Sequence, residues 1–349
     1  MIIAIDVSPL NNGHKVRGVG FYLEHLKKSL LTYYSEHTYV FFSNRKEIQE
    51  NIDLIHYPYF EPFFITLPFF EKSKRIITVH DLTPLVFPKH FPAGIKGNLS
   101  WKMQKVNLKM SDAIITDSFS SQKDITKFTG IKKEKIYVGY LAADEEFRQL
   151  SDRENKINTL KKKYHLPEKF VLSVGDVTWN KNLPRLLKAI EQSAIPLVMV
   201  GKTLVEKNYD KTNPWNKDLV EVQKLIQTNK KIITLGFIPT EDLITLYNAA
   251  TVFIMPSLYE GFGLPVLEAM QSGCPVITTK EGSLPEIAGD AAVYVDAYDS
   301  ENIAKGIHEV FENKKLQETL IKKGFDQAKK FTWKKTAEQT IAAYKGVLS

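Results

Sequence analysis

Two glutamates, Glu260 and Glu268, bound a short segment whose residue types suit the binding of a polar ligand. Seven residues separate them, and Gly261 and Gly263 among these let the backbone approach a bound group closely. Carboxylates accept hydrogen bonds from ribose hydroxyls in dinucleotide sites. The segment therefore predicts that Glu268 holds a ribose and that Glu260 holds sugar hydroxyls. A loop with one exposed acid and a solvated helix face is the plain alternative.

The elements on either side of these glutamates form a β-α-β unit. An apolar strand is predicted over 251–255, followed by a turn and a short helix that begins near Pro265, where the missing N–H costs nothing. Gly273 ends this helix, and a second strand is predicted over 275–279. The first amides of a helix lack intrahelical acceptors and lie at the positive end of its dipole. A phosphate therefore binds well at the start of this helix.

The alternation of strands and helices continues through all 349 residues, a length too great for one typical domain. Such alternation is typical of parallel sheets covered on both faces. We predict an α/β protein with two Rossmann-like domains over 1–165 and 166–331, followed by a helix over 332–349. The predicted strands are 2–7, 39–43, 53–57, 75–79, 113–116, 135–138, 170–174, 196–200, 231–235, 251–255, 275–279 and 292–295. The predicted helices, besides the one at Pro265 and one within the lysine-rich linker 152–169, are 21–32, 98–110, 120–128, 183–192, 217–228, 241–248, 301–312, 316–330 and 333–347.

The composition excludes several kinds of protein. Cys274 is the only cysteine, so a disulfide framework and a thiolate metal site are excluded, and a reducing cytoplasm fits. The chain opens on a predicted strand rather than a signal peptide, and no run of about 18 apolar residues predicts a membrane span. No Asp-x-Asp occurs, and no histidines at ligand spacing lie beside carboxylates, so we expect no metal and no cofactor.

The net charge of +7 comes entirely from the first half of the chain. Residues 1–165 hold 25 Lys and Arg against 18 Asp and Glu, whereas residues 166–349 hold 22 against 22. A basic face attracts nucleic acid, anionic lipid or an anionic substrate. Simple solubility is the alternative explanation.

Two features of the first half would suit an anionic membrane surface, and the aromatic segment 57–70 would also suit an acceptor. Residues 57–70 include seven aromatic residues and three prolines, and the predicted helix 98–110 carries a basic stripe beside an apolar one. A stripe of Leu and Met is more often core, and the aromatic segment fits a loop buried against its own domain at least as well. The stripes are Lys102, Lys105 and Lys109 on one side and Leu99, Met103, Val106 and Met110 on the other.

The segment from Glu260 to Glu268 resembles the paired-glutamate motif of retaining glycosyltransferases of family 4, which have the GT-B fold. The resemblance implies that two parallel sheets face a central cleft. It also implies that 1–165, joined by the helix 332–349, binds the acceptor and that 166–331 binds a nucleotide-sugar donor. It gives Glu260 a catalytic role. It gives donor-binding roles to Glu260, Gly261, Phe262, Gly263, Leu264 and Glu268. The matching flanks are Pro256-Ser257, Ala269-Met270, Gly273, Pro275-Val276, Gly282 and Pro285-Glu286.

Lys181, followed by asparagine and leucine, resembles the lysine with which family members bind the donor diphosphate. The resemblance implies a catalytic role for Lys181, since its charge would neutralise the leaving nucleotide. Family members usually have a basic residue where this chain has Asn180, and some have arginine where it has Asp176. Arg185, one helical turn on, is the candidate for a second basic ligand in the donor site.

Two further segments resemble parts of the donor site. Phe237 and Ile238 lie in a segment that resembles the border of the nucleotide base in family members. Gly18 and Gly20 fit a glycine loop that faces the cleft, and Arg17 beside them is a candidate contact for an acceptor phosphate. A plain flexible loop is the alternative for this second segment.

His80 follows the strand predicted over 75–79, and the carboxyl ends of parallel strands are where α/β domains bind ligands. His80, with Asp81, Leu82 and Pro84, resembles a motif of a family 4 subgroup rich in polysaccharide mannosyltransferases. The resemblance implies that His80 is an active-site residue that contacts the donor sugar. The other matching positions are Phe87-Pro88, Phe91-Pro92, Asp117-Ser118 and Ser121.

Together these motifs imply a metal-independent retaining hexosyltransferase of cell-surface polysaccharide synthesis. The resemblance favours transfer of mannose from GDP-mannose to a glycan or lipid-diphosphate-linked acceptor. A UDP-sugar-dependent transferase, a nucleotide-sugar epimerase of the same fold and a non-catalytic lipid- or polysaccharide-binding module are the alternatives. We expect a cytoplasmic protein with no nucleic-acid partner, and the inner face of an anionic membrane is a further candidate partner.

Overall fold

The computed structural model describes residues 1–11, 18–48 and 51–349. Over these residues the chain forms two compact units: residues 1–141 with 331–349 make the first, and residues 142–330 make the second. In the described residues each unit contains a wholly parallel six-stranded sheet. The predicted α/β class with two parallel sheets is therefore confirmed.

The sheet of the first unit has the strand order β2-β1-β3-β4-β5-β6. Its inner strands are buried along most of their length, as expected for apolar strands of a parallel sheet. The strands are β1 Ile2–Asp6, β2 Thr38–Phe42, β3 Leu54–Tyr57, β4 Lys74–Thr78, β5 Ala113–Thr116 and β6 Ile136–Val138. The helices that follow them are α1 Gly18–Tyr33, α2 Thr83–Val86, α3 Gly94–Lys109 and α4 Phe119–Thr129.

The sheet of the second unit has the strand order β12-β11-β10-β7-β8-β9. The strands are β7 Val171–Val174, β8 Leu197–Val200, β9 Ile232–Thr234, β10 Val252–Met255, β11 Val276–Thr278 and β12 Ala292–Tyr294. The helices are α5 Arg153–Tyr164, α6 Leu183–Ser193, α7 Lys217–Thr228, α8 Thr240–Ala249, α9 Leu264–Gln271, α10 Leu284–Ala288, α11 Ser300–Glu312 and α12 Lys314–Ala328. One core cluster joins strand residues such as Leu197 and Ile254 to Ile190 of α6 and Ile307 of α11, all fully buried.

The last helix, α13 Trp333–Leu348, belongs to the first unit. A buried polar network fastens it to the first sheet: Nδ1 of His56 lies 2.8 Å from the hydroxyl of Tyr344, and Nε2 lies 2.8 Å from that of Thr78. Burial lowers the pKa of His56 to about 3, so the ring is neutral. The network therefore holds α13 by uncharged hydrogen bonds.

The helix α5 belongs to the second unit, whereas the sequence places the domain boundary after residue 165. Its first residue, Arg153, donates through Nε to the carbonyl of Asn248 at 2.9 Å. At its other end, Nζ of Lys163 lies 2.6 Å from a carboxylate oxygen of Asp242. Both partners belong to the α8 helix, and these long-range contacts are not visible in the polar composition of 152–169.

Three of the four residues in the apolar stripe of α3 are on the surface, so the assignment of this stripe to the core is wrong. Leu99, Val106 and Met110 are each more than half exposed. The helix instead buries Leu108 together with the small and polar residues Gly97, Gln104 and Asn107. Gln104 explains this orientation, because its side-chain amide donates to the carbonyl of Phe64 and to the hydroxyl of Thr66, both at 2.7 Å.

The aromatic segment 57–70 is divided between core and surface. Tyr57, Phe60 and Leu67 are buried in the first unit, whereas Phe64 and Phe70 are 65% and 73% exposed. Neither a wholly buried loop nor a wholly exposed one describes this segment.

None of the helices in residues 1–11, 18–48 and 51–349 has both the length and the apolar character needed to span a bilayer.

Candidate active site

Four neighbouring strands of the second sheet, β10, β7, β8 and β9, end at one edge. The loops that follow them are joined by hydrogen bonds: the Gly175 amide donates to the Val200 carbonyl at 2.8 Å, and the Gly201 amide donates to the Gly236 carbonyl at 3.0 Å. Ligands of α/β domains bind at this edge, and a pocket opens there. Its lining includes Gly175, Asp176, Lys181, Pro256 and Ser257.

Lys181 and Glu260, both predicted as catalytic residues, are brought together at this pocket. Nζ of Lys181 lies 2.8 Å from Oε1 and 2.9 Å from Oε2 of Glu260. The carboxylate side chain is only 9% exposed and the lysine side chain is 24% exposed. A carboxylate so far removed from water requires a paired cation, which Lys181 supplies.

The turn that carries Lys181 is fixed by an asparagine on each side. The side-chain amide of Asn180 donates to the carbonyl of Tyr259 at 3.0 Å, and that of Asn182 donates to the carbonyl of Pro256 at 2.9 Å. Both acceptors lie in the loop that leads from β10 to Glu260. Sequence reasoning treats Asn180 only as a missing base, because its partner is 79 residues away in the chain.

The backbone of Glu260 rests on Gly282 and Ser283. The amide and the hydroxyl of Ser283 both donate to the Glu260 carbonyl, at 3.1 and 3.0 Å, and the same hydroxyl lies 2.6 Å from the Phe262 carbonyl. Gly282 has φ +60°, and a Cβ there would lie 2.5 Å from the Glu260 carbonyl oxygen. Sequence reasoning finds Gly282 only as a flank of the motif and misses Ser283 entirely.

The α9 helix begins directly after the loop between the two glutamates. Gly263 adopts φ +108° just before it, a conformation that favours glycine, and Leu264 is its first residue. Gly261 and Phe262 complete the loop and are buried. The start of α9 is the positive end of the helix dipole, which suits an anionic ligand group.

Glu268 lies in α9 and accepts a hydrogen bond from the hydroxyl of Tyr247 at 2.8 Å. Burial raises its pKa to about 7, although the bond from Tyr247 acts in the opposite direction, and the negative charge of Asp144 raises it further. The group therefore changes charge near neutral pH. Its ionised form is the one that accepts hydrogen bonds from ribose hydroxyls.

This pKa predicts a pH dependence of stability. In the unfolded chain the carboxyl has its ordinary pKa of 4.5, whereas in the folded protein it is about 7. The proton bound to Glu268 stabilises the folded state. Its contribution to the unfolding free energy is complete below pH of about 4.5 and is lost as the pH rises through about 7. We expect the unfolding free energy of the wild type, measured by denaturant titration, to fall over this window relative to that of Glu268→Gln. Parallel pH profiles of the two proteins would contradict the assignment.

Three other predicted donor residues lie on the same unit. Arg185 donates through Nη1 to Oδ1 of Asn182 at 2.8 Å, and its guanidinium stacks 5.6 Å from the ring centre of Tyr298. Phe237 is 73% exposed, which leaves its ring available to a base, whereas Ile238 is buried. The loop of Phe237 is held at the candidate site by the bond between Gly201 and Gly236.

His80 lies in the first unit, beyond the end of β4. Its Nδ1 lies 2.7 Å from a carboxylate oxygen of Asp117, which follows β5. Burial by itself lowers the pKa of His80, but Asp117, with Asp81 and the carbonyl of Pro58, raises it above its ordinary value. The hydrogen bond to Asp117 fixes the orientation of the His80 ring at the carboxyl edge of the first sheet.

Gly18 and Gly20 form the first turn of α1, so the glycine loop predicted there is shorter than expected. Gly18 is exposed with nothing near the position of a Cβ, whereas Gly20 is buried. Arg17, the candidate phosphate contact beside them, lies outside the described residues.

No metal-binding cluster occurs in the described parts of the chain: nowhere in them do three or more His, Cys, Asp or Glu side chains converge. The charged side chains Lys181 and Asp176 line the pocket of the second unit, and Glu260 is paired with Lys181.

Comparison with known families assigns both units. The model of a family described as glycosyl transferases group 1 matches residues 155–327, and that of glycosyltransferase family 4 matches residues 11–147. The first match contains Lys181, Glu260 and Glu268, and the second contains His80.

Individual proteins agree with this assignment. The chain is 30% identical over 285 residues to O-antigen chain mannosyltransferase B of Escherichia coli, covering 78% of this chain and 70% of that one. It is 27% identical to the serotype-specific mannosyltransferase WbdA of Escherichia coli, over 79% of this chain but only 34% of that protein, so it spans about a third of WbdA.

A solved structure shows the same fold. The HepE protein of Anabaena, in complex with UDP-glucose, superimposes with a TM-score of 0.73 at 17% identity, over 99% of this chain and 100% of that chain. At 17% sequence identity, this structural similarity is evidence for the fold alone. With both family models matched and a relative aligned over most of its length, the chain belongs to family 4 of the glycosyltransferases and has the GT-B fold.

Proposed function

We propose that this protein is a retaining hexosyltransferase of cell-surface polysaccharide synthesis that transfers mannose from GDP-mannose. The observation that carries the proposal is the pairing of Lys181 with Glu260 at the edge pocket of a glycosyltransferase fold. The choice of mannose follows the relative whose name is O-antigen chain mannosyltransferase B. The acceptor proposed is a glycan or a lipid-diphosphate-linked glycan.

The proposed chemistry is electrostatic. The ammonium of Lys181 would move from Glu260 toward the diphosphate as negative charge develops on the leaving nucleotide, while Glu260 takes a hydroxyl of the donor sugar. Charge neutralisation by a lysine and by helix amides makes the transfer independent of metal. We name no enzymic nucleophile, and the proposed attack of the acceptor is on the face from which the nucleotide leaves.

Donor binding divides between the two glutamates in this proposal. We expect Glu268→Ala to weaken free GDP and GDP-mannose alike, because both carry the ribose. Glu260→Ala should weaken only the sugar-bearing form, and its affinity for free GDP should stay equal or rise, because Lys181 loses its partner. A thermal-shift titration of each variant with GDP, GDP-mannose, UDP and UDP-sugars measures these affinities, since a bound ligand raises the melting temperature by mass action.

The same panel decides between donors and between functions. Stabilisation by UDP-glucose alone would replace GDP-mannose with a UDP-sugar, the donor class named in the HepE complex. Equal loss of GDP affinity in the two glutamate variants would contradict their proposed roles. Release of free nucleoside diphosphate only when acceptor is present distinguishes transfer from epimerisation, and the relatives compared above carry transferase names.

We also propose that the first unit binds an anionic membrane through a basic apolar surface formed by α3 and the outer part of 57–70. The α3 helix carries four lysines and no acidic residue, and its Ile95 is 91% exposed. Arg75 holds the two parts together, donating to the carbonyls of Pro68 at 3.2 Å and Asn107 at 2.9 Å. The exposed apolar residues of this surface are Phe64, Ile65, Phe69, Phe70, Ile95, Leu99, Val106 and Met110.

Vesicle sedimentation tests this surface. We expect the protein to bind vesicles that contain phosphatidylglycerol and to be released at high salt, because lysines near an anionic surface contribute about 1 kcal/mol each. Changing Lys102, Lys105 and Lys109 to glutamate should abolish sedimentation. The matched control changes three exposed lysines of the second unit, Lys305, Lys314 and Lys315, and should bind as the wild type does.

Two results would end the membrane proposal. One is a wild-type protein that stays in the supernatant with anionic vesicles at low salt. The other is equal loss of binding in the control variant, which would indicate a response to net charge alone. Vesicles of phosphatidylcholine only should bind neither protein.

A further inference from the structure

The charges at the edge pocket do not favour the ligand proposed for it. Lys181 is neutralised by the two oxygens of Glu260, and Asp176, which also lines the pocket, adds a second carboxylate. These three side chains carry one positive and two negative charges. A diphosphate would enter a site of net negative charge, so a further cation nearby would favour its binding.

Arg185 is not well placed to be that cation. Its Nη1 donates to the side-chain oxygen of Asn182. Asn182 is buried, and its side-chain nitrogen donates to the carbonyl of Pro256. Its guanidinium also lies over the ring of Tyr298. Moving Arg185 to a phosphate would break both contacts and would leave the buried oxygen of Asn182 unpaired.

Lys202 is the first residue after Gly201, at the end of β8. Gly201 lies so close to the carbonyl of Gly175 that no Cβ would fit. Because Gly175 lines the pocket, the backbone just before Lys202 lies beside the pocket. The next residue, Thr203, donates through its amide to the carboxylate of Asp176 at 3.0 Å. The backbone on both sides of Lys202 is therefore fastened to residues that line the pocket.

The Lys202 side chain itself is exposed, and within residues 1–11, 18–48 and 51–349 it forms no ion pair. A lysine is a flexible point charge that can turn toward an arriving phosphate without breaking an existing bond. Lys181 and Arg185, in contrast, would each have to break a hydrogen bond to reach a phosphate.

A second observation indicates a ligand with oxygen atoms in this pocket. Ser257 is completely buried, its hydroxyl has no hydrogen-bond partner among the described residues, and it lines the same pocket. A buried hydroxyl without a partner is costly, and a bound phosphoryl or sugar oxygen would satisfy it.

We infer that Lys202 supplies the second positive charge for the donor diphosphate, in the role for which the sequence suggests Arg185. This inference rests on the proposed function, because the anion is the diphosphate of a nucleotide-sugar. It explains how a chain with Asn180 and Asp176 in place of basic residues can still hold that group.

Isothermal titration of the full chain with GDP, UDP, guanosine and uridine tests the inference. Lys202→Ala should bind the preferred nucleoside diphosphate about tenfold more weakly, the scale of one lost charge-assisted contact, and should show a smaller dependence on salt. Its affinity for the nucleoside should not change. Lys202→Arg should restore binding, and Lys224→Ala on α7, which removes another exposed lysine of the unit, should bind as the wild type does.

Each other outcome has one meaning. Wild-type affinity of Lys202→Ala for the nucleoside diphosphate would overturn the role of Lys202, as would an equal loss of nucleoside binding. A tenfold loss in Arg185→Ala with none in Lys202→Ala would return the role to Arg185. A wild-type protein that binds no nucleoside diphosphate would overturn the proposed function, and this inference with it.

Discussion

Replacing Lys181 with alanine is expected to lower turnover by on the order of 10²-fold or more, the scale of losing one preorganised electrostatic group. Lys181 is the cation paired with Glu260 at 2.8 and 2.9 Å, so it is already placed where the proposed leaving group departs. Steady-state turnover with a fixed acceptor measures the effect. Lys188→Ala, an exposed lysine of the same α6 helix, is the matched control and should be neutral.

The Lys181 variant needs one further control, because it leaves a nearly buried carboxylate without its cation. Breaking a buried pair costs about 3–5 kcal/mol, and this partly exposed pair should cost less. The double variant Lys181→Ala with Glu260→Gln removes the unpaired charge and should recover the melting temperature but not the turnover. Turnover near that of the wild type in the single variant would remove Lys181 from the proposed chemistry.

A second large effect is expected from Gly282→Ala. The new Cβ would lie 2.5 Å from the carbonyl oxygen and 2.8 Å from the amide nitrogen of Glu260, and the residue has φ +60°. Backbone strain and the collision together should lower the unfolding free energy by about 2–4 kcal/mol. Displacement of Glu260 should also weaken binding of the nucleotide-sugar in the fraction that remains folded.

Gly94→Ala separates these two costs. Gly94 has φ +62°, close to that of Gly282, but nothing lies within 4 Å of its Cβ position. Its replacement should cost only the strain of about 1–2 kcal/mol and should leave donor binding unchanged. If denaturant titration gives the same loss for the two variants, the close approach of Gly282 to Glu260 is not present in the protein.

The alternation of apolar strands and helices predicts the fold of this chain well. Each predicted strand appears in the structure, and β5 Ala113–Thr116 and α7 Lys217–Thr228 have the predicted bounds. The α2 and α10 helices are not predicted because each is a single turn of four or five residues. Periodicity over one turn is too short to indicate a helix.

The individual residues of the candidate site can be predicted from the sequence more readily than the contacts between them. Lys181 and Glu260 are each found from local motifs, but their ion pair joins residues 79 positions apart. Asp117 and His80 are likewise found from motifs but not as a pair, and Ser283, which supports the Glu260 backbone, is not found at all. The orientation of α3 is set by the hydrogen bonds from Gln104 to Phe64 and Thr66. The helical period of the apolar residues alone predicts the wrong face of α3 as the buried one.

The first unit is discontinuous: residues 1–141 are completed by residues 331–349, with the whole second unit between them. During synthesis the second unit therefore has all its parts before the first unit does. Until α13 is synthesised, His56 lacks its partner Tyr344, and the surface that will meet Ala337 and Ile341 stays open to water. We expect the usual order of folding, from the first domain to the last, to be reversed here, because the second unit can complete its fold before the first unit can.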